Sequence, residues 1–236
     1  MTISNKLRKI LTIIELNEYV TNLPSFVQDT THFLRKIEEI RYKLPKDAIL
    51  FTMDIKSLYP SVPRKEGLEA CKEALEKRKH KSIATDAVMQ MLEVTLDNNI
   101  FQLNNKNYIQ TEGTAIGSRL GRNFACTYLG VWEKDLLSRS TTKPWIYLRY
   151  VDDIFGIWSG NAEELTEFHK LANLIHPNIQ VTIEQSRTSI SFLDVIVEVK
   201  EGTLETDIFR KSTDKNMYVQ KLRSSLQNVP FHMDLV

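Results

Sequence analysis

Asp54 closes most of the apolar run AILFTMDI (48–55), and Asp152 and Asp153 stand side by side in Tyr150-Val151-Asp152-Asp153, between the apolar stretches 145–149 and 154–158. A carboxylate leaving a buried strand has a fixed backbone and open oxygens, which suits it to hold a hard cation. Two adjacent acids at a hairpin tip repel each other, a repulsion that a divalent ion relieves, and their side chains leave opposite sides of a strand. Taken singly, Asp54 also reads as a turn former and the acidic pair as an ordinary turn. Together, one acid from a central strand and two from a hairpin that can pair beside it form the donor set of a two-metal phosphoryl-transfer site. One ion would activate an attacking 3′-hydroxyl and the other would neutralise triphosphate and leaving pyrophosphate, with the ions about 3.5–4 Å apart. All-oxygen donors point to two Mg²⁺ ions, with Mn²⁺ as a substitute.

For these acids to meet, the segments around them must form one sheet. Phe26, Phe33, Leu34, Ile37 and Ile40 predict an amphipathic helix from 26 to 42, stopped by Pro45, and 48–55 predicts a buried strand. Pro63 opens a helix with Leu68, Cys71 and Leu75 on one face, and a second helix spans 83–97. Residues 100–103 and 108–111 flank an Asn-rich turn and predict a hairpin; 115–137 predicts a long helix. Asn161 followed by Glu164 resembles a capping box, and strands are expected near 179–184, 190–199 and 203–210. The pattern is α+β: an antiparallel sheet with helices packed mainly on one face.

Composition narrows the function classes. The 236 residues are 42% hydrophobic and 26% charged, with a net charge of +1, which excludes a disordered chain and leaves the partner unannounced by charge. Cys71 and Cys126 lie far apart, which argues against a disulfide scaffold or zinc module and for buried small hydrophobes. Apolar runs such as 10–14 fall well short of the roughly 20 residues that span a bilayer, and no charged-then-apolar leader opens the chain. No membrane partner and a soluble, intracellular protein are expected. Residues 1–46 and 64–81 each carry +3, whereas 161–204 carry −4, which predicts solvated helix faces or a partly basic groove opposite an acidic flank.

The motifs resemble those of a known family. DIKSLYPSVP (54–63) resembles motif A of reverse transcriptases, EGTAIGSRLGRNFA (112–125) motif B, and YVDD (150–153) motif C. ISFLDVIV (190–197), LETDIFRKSTDKNMYV (204–219) and VTNLPSFVQDTTHFLRKI (20–37) are similar to segments of Penelope-like retroelement reverse transcriptases, so the resemblance covers about residues 20–220. It implies a right-hand polymerase palm at 48–220, preceded by a partial fingers segment at 1–47 and followed by a divergent tail at 221–236 without a thumb. The implied activity is RNA-directed DNA polymerisation on an RNA template with a DNA primer and dNTP. Asp54 and Asp152 would be the principal Mg²⁺ ligands, assisted by Asp153, and Tyr59 would block a ribose 2′-hydroxyl. Gly113 would let backbone approach template and nucleotide, with Gly117 in the same loop. Lys56 and the amides of 55–59 would touch triphosphate, and Arg210 and Lys211 would contact nucleic-acid phosphates near the primer grip.

The sequence departs from the family at Arg119 and Cys126, at Gly121-Arg122, which interrupts the expected helix start, and at Ser212. The triphosphate-clamping fingers motif is not recognisable before residue 20, so fingers and thumb are expected from a longer protein. Near-neutral charge then predicts weak, salt-sensitive nucleic-acid binding. Two other readings stay open: a catalytically inactive retroelement remnant that keeps metal or nucleic-acid binding, and a cyclase-type palm enzyme. The second leaves Tyr59, Gly113 and the 190–219 tail unexplained.

Overall fold

The apolar run ending at Asp54 forms β1 (Ile49–Ile55), the strand around which the computed structural model, describing residues 3–209, is arranged. β1 pairs antiparallel with β5 (Asp153–Trp158) on one side and β6 (Val181–Ser186) on the other. β4 (Ile146–Tyr150) extends the sheet beyond β5, giving the order β4-β5-β1-β6. Because successive strand residues face opposite ways, β1 feeds two cores at once.

Ile49, Phe51, Met53 and Ile55 meet a helical layer of α1 (Ile3–Thr21), α4 (Arg64–Lys77), α5 (Thr85–Asp97), α6 (Arg119–Arg139) and α7 (Ala162–Ile175), with Leu16, Leu75, Leu92, Leu129 and Phe168 buried in the same cluster. Leu50, Phe155 and Ile157 face the other way, onto α2 (Thr30–Ile40) and a second sheet of β7 (Ser189–Phe192), β8 (Val195–Lys200) and β9 (Thr203–Ile208). Phe33 of α2 is the wedge between the two sheets, 5.0 Å edge-on from Phe155 and 4.7 Å from Phe192. The expected α+β arrangement, antiparallel with helices mainly on one face, is the one observed. Cys71 and Cys126 are both buried free thiols, as expected.

Boundaries differ where local chemistry overrides periodicity. α2 starts at Thr30 because Asp29 caps it, accepting the His32 N–H at 2.8 Å, and Phe26 instead forms a parallel bridge with Arg149. α6 starts at Arg119 rather than 115 because Gly117 adopts φ of 79°, outside the α-helical region, and Ser118 caps the helix. The strand expected over 190–199 is split into β7 and β8 by a turn with Leu193 at φ 54°. The expected hairpin is present as β2 (Ile100–Leu103) and β3 (Lys106–Ile109), turning through Asn104 and Asn105, both at positive φ. A single helical turn, α3 (Leu58–Ser61), follows β1 and carries Tyr59.

Gly156 of β5 lies opposite Phe51 of β1, and a Cβ there would stand 2.1 Å from the Phe51 ring. Gly156→Ala is expected to cost ~1–3 kcal/mol of stability through overpacking, measured as a lower urea midpoint.

Candidate active site

Pairing of β1 with β5 sets Asp54 directly opposite Asp153, so both side chains leave the same face of the sheet. They line an open cavity of about 260 Å³ that also contains Thr182, Glu184 and Leu193. Asp152 sits in the two-residue turn between the cross-strand partners Tyr150 and Asp153. Its carbonyl accepts the Ile55 N–H at 3.2 Å, which stitches the turn to the end of β1. Like charges opposite one another destabilise a sheet, so this end of the fold carries a repulsion that a cation would offset.

The other central residue of the turn, Val151, has φ 57°. A β-branched residue in that region is an outlier costing roughly 1–3 kcal/mol, and positive φ at the first central position alone is the II′ pattern that glycine normally occupies. Such a conformation persists only where surroundings impose it. Here Arg149 does so: its Nη1 donates to the Val151 carbonyl at 3.0 Å and its Nε to Glu133 of α6 at 2.8 Å. Ser25 Oγ donates to the other Glu133 oxygen at 2.6 Å, and the Arg149 backbone pairs with Ser25 and Val27. Arg149 and Glu133 are each 4% exposed, so the pair is buried and satisfied on several sides.

Burial pushes the Asp152 carboxyl above its usual pKa and the neighbouring Asp54 charge adds to the rise, while its own backbone N–H, Arg122 and Arg149 pull it back. Asp152 and Asp54 are therefore near enough to feel each other. Among the described residues, no three His, Cys, Asp or Glu side chains close up into a metal cage. The expected ligand set thus gathers at one end of the sheet without converging. The donors still fit Mg²⁺, a hard ion that takes one or two carboxylates and fills its shell with water and phosphate oxygens.

Tyr59 joins this group. It is half-buried beneath the turn; burial raises its phenol pKa, with the Cys126 and Asp152 charges adding and Arg122 opposing. Its carbonyl accepts the Thr114 N–H at 2.8 Å. Gly113 packs so closely that a Cβ would lie 2.3 Å from the Tyr59 carbonyl oxygen and 2.6 Å from the Pro60 Cα. The close approach that demands glycine here is to the chain's own Tyr59-Pro60 backbone. Gly117, by contrast, has open space around it. Of the amides expected to meet triphosphate, those of Ile55 and Lys56 are committed to Asp152 and Gln180 carbonyls. The Lys56 side chain is exposed. Arg210 and Lys211 lie outside the described residues.

Sequence reasoning missed two arginines. Arg149 interrupts the apolar strand IYLRY, and a charge inside an apolar strand calls for a buried partner; Glu133 in the helical stretch GVWEKDLL is its counterpart. Arg122, noted only as an interruption, places its guanidinium 5.2 Å from the Tyr150 ring centre, beside the turn.

No protein-family model matches the sequence, and no curated protein matches it. Solved structures do match. Apo telomerase from Candida Tropicalis truncated from the C-terminal domain superposes with a TM-score of 0.65 at 13% identity, over 86% of this chain and 45% of that one. Telomerase from Candida albicans in complex with a TWJ fragment of telomeric RNA gives 0.66 at 12%, over 94% and 41%. BmCPV RNA-dependent RNA polymerase at elongation state gives 0.59 at 15%, over 92% and 22%. The chain has a polymerase-like fold, and it spans less than half of these telomerase chains and about a fifth of the viral one. No helix among the described residues is long and apolar enough to cross a membrane.

Removing one partner of a buried ion pair strands the other. Glu133→Ala is expected to cost ~3–5 kcal/mol in urea unfolding, and Glu133→Leu combined with Arg149→Met to cost less than the two single changes added together. Asp152 binds its proton more tightly folded than unfolded, so its stabilising contribution is present below the unfolded pKa and lost as pH rises through the raised folded value. Asp152→Asn should therefore raise the thermal midpoint at neutral pH, a gain that disappears near pH ~3.

Proposed function

We propose that the chain is the palm of an RNA-directed DNA polymerase of the Penelope-like retroelement kind, transferring deoxynucleotides from dNTP to a primer 3′-hydroxyl on an RNA template. The observation that carries this reading is Asp54 opposite Asp153 across β1 and β5, with Asp152 in the adjoining turn. The ordered motifs support the retroelement assignment, and the polymerase-like fold supports the reaction class. The domains follow the motifs: a partial fingers segment at 1–47, the palm at 48–220 and a divergent tail at 221–236, with the remaining fingers and thumb supplied by a longer protein.

Asp54 and Asp152 would hold Mg²⁺, with Asp153 assisting. Bound there, the two ions would supply a lowered pKa for the attacking hydroxyl and charge neutralisation for the leaving pyrophosphate. The chain's own residues set the stage for that chemistry. Arg149 fixes the turn, so Asp152 meets the end of β1 without reorganising on each cycle, which is preorganisation of the electrostatic kind. Tyr59, whose backbone is held by the Gly113-Thr114 loop, would block a ribose 2′-hydroxyl and so select dNTP over rNTP. Lys56 offers its exposed ammonium to triphosphate, and Arg210 and Lys211 offer theirs to nucleic-acid phosphates.

Primer extension on an RNA template with Mg²⁺ tests the reading. Asp152→Ala with Asp153→Ala is expected to reduce extension by a factor of ~10³ or more; equal extension by variant and wild type, or none by wild type, overturns it. Tyr59→Ala is expected to narrow the preference for dNTP over rNTP at least ~10-fold, read from competing incorporation on the same template.

A further inference from the structure

A larger cavity opens on the other side of the turn, about 680 Å³, bounded by α1, the segment Phe26–Gln28 and α6, with Val151 in its wall. Among the described residues its lining contains two arginines, Arg122 and Arg149, the neutral amides Asn17, Gln28 and Asn123, and no acidic side chain. The two arginines are not equivalent. The charge of Arg149 is spent on Glu133, 2.8 Å away. Among the described residues Arg122 has no salt-bridge partner; it lies against the Tyr150 ring, an arrangement that occupies the face of the guanidinium and leaves its N–H edge for another acceptor. The cavity therefore has a net positive wall, a volume within the range of ligand sites and a planar fork of donors suited to a phosphate oxyanion.

We propose that this cavity binds a phosphate group, with Arg122 as the contacting cation. The phosphate belongs either to a nucleic-acid backbone or to a nucleotide, and that choice of carrier rests on the polymerase reading; the anion site itself does not. Arg122 stands one turn into α6, where the sequence departs from its family pattern, so the contact is a property of this chain's own motif B segment. Bound there, the phosphate would sit against the carbonyl-pinned turn on the side opposite the cavity lined by Asp54 and Asp153.

The test is binding by the full 236-residue chain in EDTA, which removes metal-mediated contacts and separates this site from catalysis. A fluorescently labelled single-stranded RNA of ~12 nucleotides is titrated by anisotropy at several salt concentrations, with inorganic triphosphate as competitor. Arg122→Ala is expected to weaken binding about 10-fold and to make the log–log salt dependence shallower by about 0.7, the value for one phosphate on a single strand. Arg122→Lys is expected to keep the salt slope while recovering only part of the affinity, because it retains the charge and loses the fork. A purely structural role would not follow charge in this way. Displacement of the RNA by triphosphate in wild type but not in Arg122→Ala supports the proposal with a nucleotide as carrier; Arg122-dependent RNA binding that triphosphate leaves intact supports it with a strand. Unchanged affinity and slope in Arg122→Ala, a slope that Arg122→Lys fails to keep, or no RNA or triphosphate binding by wild type overturns it. Asp152→Asn with Asp153→Asn serves as control: it abolishes extension while the Arg122-dependent binding persists or strengthens, since it removes negative charge near Arg122, so either reading can fail without the other.

Discussion

A guanidinium inside a protein must find its counter-charge and its hydrogen-bond acceptors in the fold itself, because water is not there to supply them. Arg149 does so with Glu133 on α6, the Val151 carbonyl in the turn and the Cys126 carbonyl earlier on the same helix. The backbone of the same residue pairs with Ser25 and Val27, which tie the connection between α1 and α2 to the edge strand β4. One side chain thus joins a helix of the first layer, the chain crossing to the second layer, and the turn that carries Asp152. Replacing such a pair by apolar residues often leaves a protein as stable as before, so stability alone does not account for it. Its directional bonds do what apolar packing cannot: they hold a valine in a backbone region that valine avoids, and so fix where the adjacent carboxylate stands.

The second constraint is the backbone packing of Gly113 on Tyr59 and Pro60. It makes the loop before α6 and the turn after β1 a single rigid corner, although they are separated by more than fifty residues of helix and hairpin. Tyr59, Asp152, Arg122 and Tyr150 all border this corner, and their mutual electrostatic influence follows from that proximity. A change of the Gly113 loop is therefore a change in the position of Tyr59.

Much of the site was legible because strands with alternating burial and acids at their ends follow from local sequence. β1, the two strands around Asp152-Asp153 and the hairpin at 100–109 were readable from apolar runs and turn residues. What stayed hidden was long-range. Nothing local tells that Arg149 and Glu133 meet, that Phe26 leaves its helix to bridge Arg149, or that Leu193 takes a left-handed conformation and breaks a strand into a hairpin. Arg122 was visible only as a disruption of a pattern; its stacking on Tyr150 depends on how α6 crosses the sheet. Composition was silent as well, because a net charge of +1 averages over a carboxylate-lined cavity and an arginine-lined one.

The central place of β1 has a consequence for how the molecule comes into being. β1 is the earliest strand in the chain, yet both of its neighbours come late: Asp54 waits for Asp153, and its carbonyl for Thr182, which is 128 residues further on. Closing loops of that length is entropically expensive and slow relative to helix formation. At ribosomal speeds of ~5–20 residues per second, on the order of 5–20 seconds pass between synthesis of Asp54 and of the hairpin that faces it. During that interval β1 exposes both edges and both apolar faces, and the helices that follow it, α4, α5 and α6, can form at once and shield only one of them. The acids consequently come together only after the helices α4, α5 and α6 have been made, and β1 is the stretch most in need of protection from pairing with other chains while synthesis continues.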